Sequence, residues 1–267
     1  MNTEKLAKNI RINALKMANS GGGSHIGSSL SIADILAVLY GKTMMFDSRN
    51  SRWEQRDRFI LSKGHAGAAV YAVLAETGFF SLKKLSTHYK DGSDLSGHVS
   101  HKNVPGVEVS TGSLGHGLSI GVGIAKAAKL ANSSYSVYAL LSDGECDEGS
   151  VWEAAMFSSH HKLSNLYAIV DYNKLQSLDT IENTLGLEPF KSKWESFGWG
   201  VIEVDGHDHV KIEEAFSKAK ASSKPNVLIC HTIKGKGVSF MENSVLWHYR
   251  CPKGDEFLKA LDELRNS

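Results

Sequence analysis

Two short polar loops hold the residue types best suited to chemistry in this 267-residue sequence, Ser142-Asp143-Gly144 and Asp171-Tyr172-Asn173. Each follows an apolar run. A carboxylate from the first loop, with an amide oxygen and a backbone carbonyl from the second, makes a set of hard oxygen donors. Such a set suits Mg²⁺, which completes its octahedron with water and phosphate oxygens. Gly144 lets the chain turn and lets a phosphate come close to the backbone. Taken singly, Asp-Gly and Asp-Tyr-Asn are also ordinary turn sequences. The 12 histidines are the second oddity, because imidazole titrates near neutrality and can move protons. A lone histidine is more often a surface or hydrogen-bonded core residue. That bland reading applies to His88, His101, His160, His161, His207, His209 and His231. In Gly112-Ser-Leu-Gly115 the glycines free backbone amides for an anion ahead of a helix start.

The elements that must position these loops alternate between two periods. Residues 4–19 read as an amphipathic helix. Ser31 reads as an N-cap ahead of Ile32, Ile35, Leu36 and Leu39, with Gly41 as the stop. Phe59 to Leu61 is a short strand, followed from Gly64 by an Ala-rich helix to about Glu76. A helix over 118–131 follows the glycine-rich turn. Strands are expected over 136–141, 166–170, 199–204 and 227–230, with helices over 149–161 and 210–221 and a charged helix over 255–265. Short apolar strands separated by helices imply βαβ crossovers. The expected fold is α/β, one doubly wound parallel sheet with helices on both faces, over residues 1–267 as a single domain. In such sheets ligands sit beyond the carboxyl ends of the strands, where these polar loops fall.

Composition narrows the class. Lys+Arg (30) and Asp+Glu (29) nearly cancel, which argues against nucleic acid as a partner. No apolar run approaches a membrane span, and Met1 to Asn9 is not a secretory signal. Cys146, Cys230 and Cys251 are far apart and form no C-x-x-C pair, so they read as reduced thiols of a cytoplasmic protein. Gly121-Val-Gly123-Ile-Ala-Lys126 lacks the third glycine and the preceding strand of a dinucleotide-binding turn.

The spacing of the two loops resembles the thiamine-diphosphate fingerprint, Gly-Asp-Gly, then 25 to 30 residues, then Asn-Asn. Here 28 residues separate Gly144 from Asn173, with Ser142 and Tyr172 replacing the first Gly and first Asn. Further segments, in order along the chain, are similar to the transketolase family. They are Gly23-Ser-His-Ile-Gly27, Leu61-Ser-Lys-Gly-His-Ala66, Gly97-His98, Thr111-Gly-Ser-Leu-Gly-His-Gly117, Glu145 to Ala154, Thr232-Ile-Lys-Gly-Lys-Gly237 and Trp247-His248. Ile26 stands where the family carries proline, and the proline after His98 is also absent.

This resemblance implies thiamine diphosphate as cofactor, held with Mg²⁺ (or Ca²⁺ or Mn²⁺). Asp143, Asn173 and the carbonyl of Leu175 would bind the metal. Ser28, His65, Gly112, Leu114, Gly144, Glu148 and Lys234 would contact the cofactor, and His248 would lie near both diphosphate and substrate. His25, His98 and His248 would surround the donor-sugar hydroxyls and act in catalysis, whereas His116 is structural. Glu148 and Glu153 match acidic interface positions. The implied reaction moves a two-carbon ketol unit from a ketose, phosphorylated in this reading, to an aldose. No segment matches the family's pyrimidine-binding domain or its activating glutamate. The expectation is therefore a natural subunit of a split enzyme, with that domain on a C-terminal partner chain and a heterotetramer of two plus two. The alternatives are a 1-deoxyxylulose-5-phosphate synthase-like enzyme, the alpha chain of a 2-oxo-acid dehydrogenase, and a non-catalytic interaction subunit.

Overall fold

The apolar runs form five strands: β1 (Arg58–Leu61), β2 (Val137–Ser142), β3 (Leu166–Tyr172), β4 (Gly200–Asp205) and β5 (Asn226–His231). The structure, a computed structural model, describes residues 1–266. All neighbouring strands pair in parallel, in the order β1-β2-β3-β5-β4. The first helices are α1 (Thr3–Gly21), α2 (Ile26–Ser31), α3 (Ala33–Val38), α4 (Gly67–Glu76) and α5 (His116–Leu130). There follow α6 (Gly149–His160), α7 (Ile181–Thr184), α8 (Phe190–Ser196), α9 (His209–Lys220) and α10 (Asp255–Asn266). The Asn2 side chain caps α1 by accepting from the Lys5 amide, and Gly22 ends that helix in the left-handed conformation.

Alternation along each strand splits the core into two. Tyr138, Leu140, Ile169 and Leu228 pack with α1, α3, α4, α9 and α10 on one face. Val137, Ala139, Leu141, Ala168 and Val227 pack with α5, α6 and α8 on the other. Burial on both faces is why these strands are apolar throughout. It also confirms the expected doubly wound sheet with two helical layers.

Three local expectations change. Ser31 is the last residue of α2 and caps nothing; its hydroxyl donates to Asp171 Oδ2 at 2.7 Å and lies 3.0 Å from the Ser28 carbonyl. The helix starts at Ile26, where the glycines and serines of 20–29 hide its period. Gly41 does not stop a helix but lies within a wide π turn over Leu39–Thr43. Strand β3 runs on through Tyr172, so Asp171 lies in the sheet rather than in the following loop.

The carboxyl ends of β1, β2, β3 and β5 open on one side, and close packing there depends on a missing side chain. A Cβ on Gly117, in the first turn of α5, would lie 2.5 Å from Ser62 Cβ and 2.6 Å from Ser62 Cα. Neither atom can rotate away. Gly117→Ala is expected to destabilise the fold by about 1–3 kcal/mol, the usual cost of overpacking, read as a lower urea midpoint. An unchanged midpoint would show that the two loops are free to separate.

Candidate active site

The loops after four strands and the start of α2 enclose a cavity of about 200 Å³. Twelve residues expected at the site line it: His25, Ser28, His65, His98, Gly112, Leu114, Asp143, Gly144, Asn173, Leu175, Lys234 and His248. Glu148 and Glu153 lie outside it and are exposed at the start of α6, with Glu148 as the residue preceding that helix. Ser142, Gln176, Ser177 and Tyr249 complete the lining.

The oxygen donors gather on one wall. Asp143 follows β2 and is 1% exposed; its Oδ1 accepts from Gly144 N at 2.8 Å and its Oδ2 from Lys174 N at 2.6 Å. Burial, and then the charge of Asp171, raise its pKa to about 6. Asn173 donates through Nδ2 to Asp171 Oδ2 at 2.9 Å, and its Oδ1 accepts from Leu175 N at 3.1 Å. These two bonds fix which way the amide faces. The Leu175 carbonyl accepts from Lys234 Nζ at 2.7 Å. That ammonium also lies 2.8 Å from His248 Nδ1. Burial, and then the nearby Lys63 charge, lower the Lys234 pKa to about 8.

The imidazoles gather in the same cavity, His248 bordering the oxygen donors with its Nδ1 3.1 Å from the Gln176 carbonyl. The ring centroid of His25 lies 4.8 Å from that of His65, 5.0 Å from that of His248 and 6.2 Å from that of His98. His25 adopts φ +63°, a left-handed conformation costly for a residue with a side chain. Its amide donates to the His248 carbonyl at 2.9 Å. The buried His25 Nδ1 has no hydrogen-bond partner. Burial, then the charges of His98, Lys234 and Lys63, lower the His25 pKa to about 4. Burial and then Lys234 lower that of His248 to about 3. His65 is shifted well below the ordinary value by burial and then Lys63. Neutral rings of this kind offer a nitrogen acceptor at pH 7. Gly112 is pressed against the His98 ring, whose Cδ2 would lie 3.3 Å from an added Cβ.

This donor set fits a diphosphate bound through a hard divalent cation. Asp143, Asn173 and the Leu175 carbonyl supply oxygens only, while Lys234 and His65 face them as donors for an anion. Gly115 adjusts the expectation for the glycine loop: its amide donates to Glu145 Oε1 at 2.8 Å, so the start of α5 is tied to a protein carboxyl.

Reading the sequence missed the groups beneath this wall. Lys63 is fully buried and paired with Asp171 at 2.5 Å. Asp171 also accepts from Ser31, Asn173 and the Thr232 hydroxyl. Glu145 is 0% exposed and accepts from Ser62, Gly115 and Ser142. The signal for Asp171 was present: a carboxylate ending a strand buried on both faces needs a cationic partner.

Two measurements check these electrostatics. Lys63→Met leaves a buried carboxylate unpaired, and about 3–5 kcal/mol of stability should be lost in chemical denaturation; wild-type stability would show that the pair carries no weight. In an NMR titration of the cofactor-free chain, the His25 ring should remain neutral well below 6.5, the ordinary value. The unfolded chain binds that proton first, so His25 makes stability fall as pH drops from 6.5 towards about 4. A His25 midpoint near 6.5 would contradict the burial argument.

Residues 2–263 match the family model described as transketolase, thiamine diphosphate binding domain. An apulose-4-phosphate transketolase subunit of Phocaeicola vulgatus is 44% identical over 241 residues, covering 90% of this chain and 85% of its own. A 6-deoxy-6-sulfo-D-fructose transketolase subunit of a Clostridium species is 43% identical, covering 85% of this chain and 83% of its own. The crystal structure of Campylobacter jejuni transketolase superposes with a TM-score of 0.93 at 32% identity, over 99% of this chain. The chain spans only 43% of that protein, and 38% of human transketolase, to which it is 42% identical. From the family match and these similarities, the chain belongs to the transketolase family, within that family's thiamine diphosphate binding domain.

Proposed function

We propose that the chain is the diphosphate-binding subunit of a two-chain transketolase that transfers a two-carbon ketol unit from a ketose to an aldose. The observation that carries this reading is the single cavity in which Asp143, Asn173 and the Leu175 carbonyl face His25, His65, His98 and His248. Similar proteins named as transketolase subunits, at 85% and 83% of their own length, support the division into two chains.

When bound, thiamine diphosphate supplies the electron sink for breaking a carbon–carbon bond. The two oxygen-bearing side chains and the Leu175 carbonyl would hold Mg²⁺, or Ca²⁺ or Mn²⁺ in its place. Lys234, Ser28, His65 and the backbone around Gly112, Leu114 and Gly144 would hold the diphosphate. His25, His98 and His248 then take hydrogen bonds from donor hydroxyls, and one neutral ring accepts the proton of the 3-hydroxyl as the C2–C3 bond opens. Proton transfer of this kind contributes about 10²–10⁴-fold. A decarboxylating 2-oxo-acid enzyme needs no such set of acceptors for sugar hydroxyls, which favours a sugar substrate.

The chain spans less than half the length of the Campylobacter jejuni and human transketolases but most of the length of proteins named as subunits, and we assign the aminopyrimidine pocket to a C-terminal partner chain. Two copies of each chain would complete two sites about a two-fold axis, with the exposed Glu148 and Glu153 at the interface. Among the described residues no helix is long and apolar enough to cross a membrane. The three unpaired cysteines suit a reducing cytoplasm.

A ketol-transfer assay with a phosphorylated ketose, thiamine diphosphate and Mg²⁺ tests the reading. The chain alone should be inert and the two chains together active, whereas turnover by the chain alone would refute the division. In the combined protein Asp143→Ala should keep its circular dichroism but lose Mg²⁺-dependent cofactor binding in calorimetry, through loss of a ligand oxygen. Unchanged affinity would remove Asp143 from the metal site.

A further inference from the structure

A second polar cluster, half-buried along a separate surface groove, lies at the carboxyl end of β4. Asp34, on α3, is 5% exposed and is held by Arg11 through Nη1 at 3.0 Å and Nη2 at 2.5 Å. His207 Nδ1 lies 2.6 Å from Asp34 Oδ2, and His209 Nε2 lies 3.0 Å from Asp34 Oδ1. Neither histidine lines the cavity. Their surroundings differ in one respect. His209 turns its other nitrogen to Thr3 Oγ1 at 2.8 Å, whereas His207 Nε2 accepts the backbone N–H of Ile233 at 2.9 Å.

The sheet explains that contact. Strands β4 and β5 pair with Asp205 opposite His231, so the segments that follow leave the sheet side by side. Ile233 directly precedes Lys234. Because His207 Nε2 accepts, Nδ1 must carry the ring hydrogen, and the ionised Asp34 holds that tautomer and ring orientation. We propose that His207 is a positioning residue for Lys234, fixing the backbone from which the ammonium reaches into the cavity. The segment has other anchors: the Thr232 hydroxyl on Asp171, Thr232 N on the Tyr172 carbonyl at 3.3 Å, Gly235 N on the Gly27 carbonyl at 3.0 Å, and the Lys234 carbonyl, which accepts from Asn243 N at 3.0 Å. His207 supplies the one that holds the Ile233 N–H, the residue next to Lys234. The chain Arg11–Asp34–His207–Ile233 thus joins the first and third helices to a loop of the site, and none of its four members lines the cavity. The inference rests on the reading that Lys234 faces the cofactor diphosphate.

Two isosteres separate positioning from general support. In His207→Asn the amide can still donate to Asp34 but falls short of Ile233. In His207→Gln an oxygen reaches the place of Nε2. His209→Ala removes a comparable contact to Asp34 and none to the segment. The readout is the Kd for thiamine diphosphate with Mg²⁺, by calorimetry on the chain combined with its complementary partner. His207→Asn should raise Kd about 5- to 10-fold, the scale of one lost hydrogen bond. His207→Gln and His209→Ala should stay within about twofold. An unchanged Kd for His207→Asn overturns the proposal, as does equal weakening by His209→Ala or by His207→Gln. Amide exchange of Ile233 in the cofactor-free wild-type chain, which needs no variant to fold, should be slow; rapid exchange also overturns it. Lys234→Ala separates the two levels. If its Kd is that of the wild type, the assignment of Lys234 to the diphosphate fails, while slow exchange at Ile233 would still support the positioning contact.

Discussion

One carboxylate buried at the end of the third strand holds the floor of the cavity together. Asp171 is 0% exposed, and a charge so placed is tolerated only with near-complete compensation. Its partners come from four separate parts of the chain: Ser31 at the end of α2, Lys63 after β1, Asn173 after β3 and Thr232 after β5. Each partner's segment also contributes a lining residue, Ser28, His65, Asn173 itself and Lys234. A hydrophobic pair could fill the same volume and be as stable. It could not orient the Asn173 amide or draw three loops to a common point. The ion pair therefore serves geometry more than stability.

Above that floor the charges are left unequal. Lys63 and Asp171 satisfy each other in direct contact. Asp143 and Lys234 are as deeply buried but are shifted towards neutrality, to about 6 and about 8. Burial is the largest cause of both shifts, and each is reinforced by the like-charged member of the pair below. Asp143 thus favours a cation and Lys234 an anion. A divalent metal carried on a diphosphate would present both charges together, so one ligand would suit the same two residues.

The strands, their parallel pairing and the side on which the polar loops emerge were legible in the sequence, because apolar runs bounded by Asp, Asn and Gly report strand ends directly. The cavity lining was legible too, through motifs carried on those loops. The layer beneath was not. Asp171 reads as the start of a turn, since a charge usually ends a strand, and only the Lys63 partner from a distant segment makes it a sheet residue. Ser31 reads as a cap for the same local reason, although its hydroxyl is spent on Asp171. Histidine shows the limit most clearly. His207 and His209 carry no local pattern that distinguishes them from surface residues, and both bond Asp34, itself held by Arg11, more than 170 positions away in sequence.

His25 shows how packing holds a strained residue in the cavity. A left-handed backbone at a β-carbon-bearing residue is destabilising by about 1–3 kcal/mol, and burying an imidazole nitrogen without a partner adds to that cost. Relaxing the backbone would break the hydrogen bond from the His25 amide to the His248 carbonyl and move the ring away from the other three imidazoles. The packing of α2 against the core prevents this, since Ile26, Ser29 and Leu30 are all buried. The ring therefore stays packed against those of His65, His248 and His98, with its buried Nδ1 unsatisfied by any protein group.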